Sequence, residues 1–263
     1  MSGFFFFKYI QHMRFLTPNN IFAVLLQKLI KESSPYQMQF KDASVLSTEL
    51  ENGNADLALI PSCDLVKHPD FFISSRVALS FDGSLSNAFF YFIPGQNKFN
   101  DLYLKGDITT NEIIFSKILF KERYSSDVQI HLETAETEFG KKNYLIAGDS
   151  NFQNGNFNRG LSFSDELSTL LFLPYVNFVI ASKQQAIIEQ FNEINTELEH
   201  NADTNSNLFS DMKFNENTML YLKENMNSVY FEATETEMEG LKELLLLPYY
   251  HGITDEPVEL RIV

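Results

Sequence analysis

Five short polar stretches could carry chemistry, because each one follows a run of residues that is typical of a β-strand. They cover residues 17–20, 61–62, 84–87, 109–112 and 148–149. Their side chains supply hydroxyl, amide and carboxyl groups, which act on a ligand through hydrogen bonds. Open α/β folds place their ligands in the loops that follow the carboxyl ends of strands. These stretches are therefore our candidates for a small-molecule site.

The first stretch contains Thr17, Asn19 and Asn20. Asn19 or Asn20 can cap a helix, because apolar residues at helical spacing follow from residue 21. The same groups could instead contact a ligand through a hydroxyl or an amide. Both roles, helix cap and ligand contact, stay open at this point.

Pro61 and Ser62 end an apolar run over residues 55–60 that only Asp56 interrupts. Such a run between turn signals predicts a strand that is buried on both faces, as in a parallel sheet. A ligand contact at Pro61 and Ser62 follows from their position after that strand.

The third stretch contains Ser84, Ser86 and Asn87, directly after Gly83. The glycine permits close approach of the backbone, and the two serine hydroxyls can bind a carboxylate. The alternative is a plain turn between strands.

The last two stretches lie farther along the chain. Thr109 or Thr110 caps a predicted helix, Asn111 follows, and Glu112 in the first turn favours the helix dipole but repels an anion. Asp149 follows the strand predicted over residues 144–147 and could bind a ligand hydroxyl or cap the next segment.

The sequence shows no motif for metal binding, phosphate binding or nucleophilic catalysis. The five histidines show no metal-binding spacing, and the chain has no phosphate-binding glycine loop and no nucleophile elbow. We therefore expect no metal and no cofactor, and any catalysis would rest on orientation and hydrogen bonding. Cys63 is the single cysteine, so no intrachain disulfide can form, which favours a reducing compartment.

Amino-acid composition and net charge limit the classes of partner that we expect. The 35 acidic residues outnumber the 20 basic residues, giving a net charge of −15, and 44% of the residues are hydrophobic. This argues for a globular protein and against nucleic acid or an anionic membrane as the partner. No run of about 18 apolar residues exists that would predict a transmembrane helix. The sequence sets no oligomeric state.

The order of elements predicts an α/β fold. Strands near residues 4–16, 37–40 and 57–60 alternate with helices that begin near residues 20 and 45, which is a βαβαβ unit. Further strands are expected over residues 71–79, 88–93 (as a central strand), 102–108, 128–132, 144–147, 174–182 and 228–231. Helices are expected from residues 109, 164, 184, 215 and 236, the last with a capping box formed by Thr236 and Glu239.

Residues 49–62, ELENGNADLALIPS, resemble the pattern L..GE.D..LIPS of the menaquinone-biosynthesis family that includes MqnA and MqnD. The likeness continues thinly through residues 70–73, 80–83, Ser86, 144–149, 173–176 and 249–260. It implies the two-lobed, type II periplasmic-binding-protein-like fold with a ligand cleft between the lobes. It also implies a cytoplasmic location and a lobe division at residues 1–85, 86–182 and 183–263.

The resemblance also implies roles for residues. Ser86 and Thr17 would be catalytic, Ser86 by orienting a substrate carboxylate, and the other polar groups would line the cleft. Two departures are plain, because Thr17 stands where the family has asparagine, and residues 109–112 lack the arginine of its SRTS-like motif. Residues 151–158 also form a longer connection than the family's.

Two functions follow as expectations. One is a chorismate dehydratase-like carbon–oxygen lyase that converts chorismate, a small anionic substrate, to 3-[(1-carboxyvinyl)oxy]benzoate. The alternative is a non-catalytic protein that binds a small solute on the same scaffold.

Overall fold

The computed structural model describes residues 13–30, 35–96, 98–195, 198, 208–209 and 212–263. Two β-sheets with helices packed on them form an α/β fold, as predicted. The strands are β1 (Met13–Pro18), β2 (Tyr36–Lys41), β3 (Leu57–Pro61), β4 (Phe72–Phe81), β5 (Ala88–Tyr91), β6 (Asp101–Gly106), β7 (Gln129–Leu132), β8 (Tyr144–Ala147), β9 (Leu161–Ser162), β10 (Tyr175–Ser182), β11 (Val229–Glu232) and β12 (Arg261–Ile262).

The α-helices are α1 (Ile21–Leu29), α2 (Leu46–Glu51), α3 (Thr110–Tyr124), α4 (Phe163–Leu171), α5 (Gln185–Ile194), α6 (Glu216–Asn225) and α7 (Glu235–Tyr250). Short 3-10 turns cover Ala43–Val45, Ser62–Val66, Asp149–Asn151, Gln153–Arg159 and Met226–Ser228. The 3-10 turn that precedes α2 and the one that follows β3 each begin with backbone N–H groups that have no partner within the turn itself.

The first sheet has the strand order β11-β4-β10-β3-β1-β2, with β12 beside β4. β1 runs parallel to both β2 and β3, which confirms the predicted βαβαβ unit. β10 lies antiparallel between β3 and β4. Every residue of β3 and β10 is buried, because strands in the middle of a sheet with helices on both faces expose neither face.

The second sheet has the order β7-β6-β8-β5-β9. β6 runs parallel to β7 and β8, whereas β5 is antiparallel to β8. The predicted central strand over residues 88–93 ends at Tyr91 and flanks the middle strand, which is β8. The first sheet and its helices are called lobe 1 below, and the second sheet with α3 and α4 is called lobe 2. The residue divisions expected from the sequence stay a prediction.

Several local predictions need correction. The capping box of α7 is formed by Thr234 and Glu237, not by Thr236 and Glu239, because the chain becomes helical two residues earlier. Pro248 lies inside α7, which continues to Tyr250. The segment 151–158, predicted as a loop, is mostly 3-10 turns. The start of the first predicted strand lies outside the described residues. So do residues 201–207, whose polar composition predicts a break in helical structure.

Candidate functional site

The carboxyl ends of β1, β2 and β3 in lobe 1 meet the carboxyl ends of β6 and β8 in lobe 2. Parallel strands bring their following loops to one edge of each sheet, so two loop edges face each other. Three hydrogen-bonded contacts join those edges.

The first contact joins the end of β8 to the start of α1. The Ile21 N–H donates to Asp149 Oδ1 at 3.0 Å, and the Ala23 N–H donates to Asn20 Oδ1 at 2.9 Å. Asn20 is therefore the helix cap, and Asp149 satisfies a further N–H of the same helix start from the other lobe. Gly148 has φ of +97°, and its N–H donates to the Asn87 carbonyl at 2.7 Å. This bond fixes the backbone that carries Asp149.

The second contact joins the end of β6 to the 3-10 turn before α2. The Ala43 N–H donates to both carboxyl oxygens of Asp107, at 2.9 Å each. Asp107 is close to the first contact, because a Cβ placed on Gly148 would lie 4.0 Å from the Asp107 Cβ.

The third contact joins α3 to the turn after β3. The Cys63 N–H donates to Asn111 Oδ1 at 2.8 Å, and Asn111 Nδ2 donates to the carbonyl and to the Oδ1 of Asn177 at 2.7 and 2.8 Å. The Tyr175 hydroxyl donates to the same Asn177 oxygen at 2.9 Å. Asn111 is completely buried, so it bridges a helix of lobe 2, a turn of lobe 1 and β10 without help from solvent.

These three contacts are called the inter-lobe clasp. The clasp consists of the Asp107, Asn111 and Asp149 side chains and of the N–H groups that donate to them. In each contact a side-chain oxygen of lobe 2 accepts from an N–H at the start of α1 or of a short 3-10 turn in lobe 1. Helix N-termini are natural anion sites because their first N–H groups lack partners within the helix. The protein fills these three sites with its own side chains.

Burial shapes the electrostatics of this region. It raises the pKa of Asp149 to about 6, against the lowering effect of the Ile21 N–H. Burial likewise raises the pKa of Asp107 and of the deeply buried Glu112. No lysine or arginine in the described part of the chain pairs with these three carboxyl groups. Lys41, at the end of β2, pairs with Glu49 instead.

Four polar atoms around the clasp are buried without a hydrogen-bond partner. They are Thr17 Oγ1, Asn20 Nδ2, Asn87 Oδ1 and Glu112 Oε1. Each of these residues is at most 3% exposed. A buried polar group without a partner costs about 1–3 kcal/mol, so four such atoms near the clasp favour a bound partner.

Ser86 has a different environment from the one expected of a catalytic serine. Its Oγ accepts from the Ala88 and Ser164 N–H groups at 3.1 and 3.2 Å and lies 2.8 Å from the Ser164 hydroxyl. A hydroxyl has one donor and two acceptor positions, so all three are used inside the protein. A substrate carboxylate would have to displace one of them.

The other predicted residues divide into two groups. Pro61, Ser62 and Thr109 are buried beside the clasp, where Thr109 caps α3 and shares a capping box with Glu112. Ser62 Oγ lies 3.4 Å from Asn111 Oδ1. Outside this region, the Ser84 hydroxyl donates to Asn225 Oδ1 at 2.7 Å on an exposed face. The Asn19 side chain is exposed, and Thr110 is half-buried.

The longer connection after β8 also enters the contact between the lobes. Phe152 is fully buried, and its ring packs edge-on against Phe22 of α1 with centroids 6.1 Å apart. The Thr218 hydroxyl of α6 donates to the Phe152 carbonyl at 3.0 Å. Part of the segment 151–158 therefore occupies space between the lobes.

Sequence reasoning missed Asp107, Asn177 and Tyr175. A signal for Asp107 existed, because Gly-Asp recurs at residues 106–107 and 148–149, each time after a strand of the same parallel pair. Asn177 and Tyr175 carried no such signal, since they belong to a strand whose pattern indicates burial alone.

Two further findings concern the described residues alone. None of their helices is both long and apolar enough to cross a membrane. No three of their His, Cys, Asp or Glu side chains come together as a metal-ion site requires.

The fold is that of the periplasmic binding proteins, in its two-lobed type II-like form. The chain is similar to protein AF1704 from Archaeoglobus fulgidus, with a TM-score of 0.65 and 13% identity over 92% of this chain and 98% of that one. It is similar to the alkanesulfonate-binding protein SsuA from Xanthomonas axonopodis pv. citri bound to MOPS, with a TM-score of 0.61 and 9% identity over 96% and 98%.

A third similar structure is the zinc-bound ligand-binding component of an ABC-type import system from Staphylococcus aureus. Its TM-score is 0.56, with 11% identity over 94% of each chain. No protein-family model and no curated protein matches the chain. At these identities the likeness concerns the fold alone.

Proposed function

We propose that the chain binds a small molecule between its two lobes, next to the inter-lobe clasp. The observation that carries the proposal is the set of unpartnered buried atoms on Thr17, Asn20 and Asn87 where the strand edges meet. Proteins leave few such atoms without a partner, and ligand sites in this class of fold lie at this edge. The solute-binding neighbours on the same scaffold support the proposal.

Binding would require the lobes to separate, because the clasp residues are buried or half-buried in the closed form. The clasp would then re-form beside the ligand, and its hydrogen bonds would favour the closed state. Hinge closure of this kind is a common way for two-lobed proteins to enclose a ligand.

Thermal unfolding in the presence of a panel of small metabolites tests the proposal. A ligand at 100 times its dissociation constant adds about 2.7 kcal/mol to the stability of the folded state. We expect the shift caused by a ligand to shrink in Thr17→Val, which removes one unpartnered hydroxyl. A compound that stabilises both forms equally would bind elsewhere and would contradict the proposed site.

A second candidate function is a chorismate dehydratase-like lyase of menaquinone biosynthesis, acting in the cytoplasm. The observation that favours it is Asp149, which lies half-buried where the lobes meet and whose pKa is raised by burial to about 6, near the working pH. Loss of water from a substrate needs a group that takes a proton and a group that gives one, and a carboxyl with such a pKa can do both. The lone cysteine also suits a reducing compartment.

Mass spectrometry of the purified protein incubated with chorismate tests this candidate. The expected product is 3-[(1-carboxyvinyl)oxy]benzoate, and Asp149→Asn should abolish its formation while leaving the protein folded. Absence of product at high protein concentration would leave the solute-binding function as the only candidate.

A further inference from the structure

Building on the proposed ligand site, we propose that its ligand is uncharged there and presents a hydroxyl or a primary amide rather than a carboxylate. Three features of the site favour such a ligand: its donors, its charges and its unpartnered atoms.

The donors that would hold a carboxylate are already occupied. The N–H groups of Ile21, Ala43 and Cys63 begin three helical segments of lobe 1, and each donates to a side chain of lobe 2. A carboxylate ligand would have to displace one of those side chains. The displaced oxygen would then lose its partner in a buried place, which is costly.

The charges around the site also oppose an anion. Asp107, Glu112 and Asp149 approach the contact between the lobes, and no lysine or arginine of the described ranges pairs with them. An anionic ligand would therefore meet no cation paired with these groups in the described part of the chain, and each of these carboxyl groups that is ionised would repel it. An uncharged ligand avoids this repulsion and leaves the clasp intact.

The unpartnered atoms are both donors and acceptors. Asn20 Nδ2 can only donate, Asn87 Oδ1 can only accept, and the Thr17 hydroxyl can do either. A hydroxyl or a primary amide also donates and accepts, so it can satisfy this mixed set. A carboxylate only accepts, so it would leave Asn87 Oδ1 without a partner.

Matched pairs of compounds test the inference: benzamide with benzoate, nicotinamide with nicotinate, and glucose with gluconate. Binding is measured at pH 7.5 by saturation-transfer NMR and calorimetry, with the wild type and two variants. Asn20→Ser keeps a helix cap but removes the unpartnered amide, and Asn215→Ser makes the same cap exchange on α6.

For at least one pair, we expect the uncharged compound to bind at least about tenfold more tightly than its carboxylate. Asn20→Ser should weaken that binding by about tenfold, and Asn215→Ser should leave it unchanged. Equal or tighter binding of the carboxylate overturns the inference but leaves the proposed ligand site standing. Binding of the uncharged compound that is unaffected by Asn20→Ser also overturns it, whereas failure of every compound to bind counts against the proposed function itself.

Discussion

The two strand edges that meet between the lobes have the same geometry and opposite polarity. In lobe 1, β1, β2 and β3 lead into helical turns, so the edge presents backbone N–H groups. In lobe 2, β6 and β8 end in Gly-Asp, so the edge presents carboxyl oxygens. A cleft with donors on one side and acceptors on the other is complementary to itself, and it can close without a ligand.

This difference in polarity distinguishes two ways in which the lobes of one fold can close. Where both edges present donors, closure needs an anion to fill them. Here lobe 2 already supplies the acceptors, and one buried and two half-buried carboxyl groups replace the cation-rich surroundings that an anionic ligand prefers. The predictions below test how much each half of this complementarity contributes, from the largest expected effect to the smallest.

Asn111 should carry the largest share of the contact between the two edges. Asn111→Ala removes the partner of the Cys63 N–H and the side-chain donor to the Asn177 carbonyl, whereas Asn177 Oδ1 keeps the Tyr175 hydroxyl. At about 1–3 kcal/mol for each orphaned group, we expect a loss of about 3–5 kcal/mol in the free energy of unfolding. Urea denaturation measures it. Asn19→Ala is the control, because that side chain is exposed and should matter little.

The pH dependence of stability tests the acidic strand edge of lobe 2 through Asp149. Its folded pKa of about 6 lies above the ordinary value of 3.8, so the folded chain holds more protons between those pH values than the unfolded chain. Stability from this group is therefore fully present below about pH 4 and is lost as pH rises through 6, by up to about 3 kcal/mol.

Asp149→Asn keeps an oxygen for the Ile21 N–H but cannot ionise. We expect the decline in unfolding free energy from pH 4 to pH 7 to be smaller in the variant than in the wild type. Asp107 and Glu112 also have raised pKa values and remain in both proteins, so the difference isolates Asp149. Identical slopes would show that Asp149 is not buried in the closed contact.

Ser86 tests whether a buried serine with a saturated hydroxyl also contributes to ligand binding. Ser86→Ala orphans the Ala88 and Ser164 N–H groups, and we expect it to cost about 2 kcal/mol of stability. Ligand affinity should stay within about twofold of the wild type, since the hydroxyl is already saturated. Ser84→Ala, on an exposed face, is the matched control. A strong loss of binding with unchanged stability would restore the catalytic role that the family resemblance implies.

The sequence predicted the βαβαβ unit and most strand positions because apolar periodicity depends on local pattern and burial, which a single chain records. It also placed Asn20, Asn111 and Asp149 at a candidate site, since polar residues after strands collect at one sheet edge. It could not show that Asp149 and Asn111 bond to the opposite lobe. That depends on how two sheets approach each other, and hydrophobic patterning does not encode this distance.

The Thr17 hydroxyl should give the smallest effect and the most direct view of the cleft. It is completely buried and has no partner, whereas the equally buried Thr218 hydroxyl donates to the Phe152 carbonyl at 3.0 Å. Removing an unpartnered buried hydroxyl relieves a desolvation cost, but removing a partnered one leaves its acceptor orphaned. Thr17→Val should therefore raise the unfolding free energy of the ligand-free protein by up to about 1 kcal/mol, and Thr218→Val should lower it by about 1 kcal/mol. Chemical denaturation of both variants in one buffer decides the matter. A loss of stability in Thr17→Val would mean that its hydroxyl has a partner in the ligand-free protein, and the argument from unpartnered atoms would then rest on Asn20 and Asn87 alone.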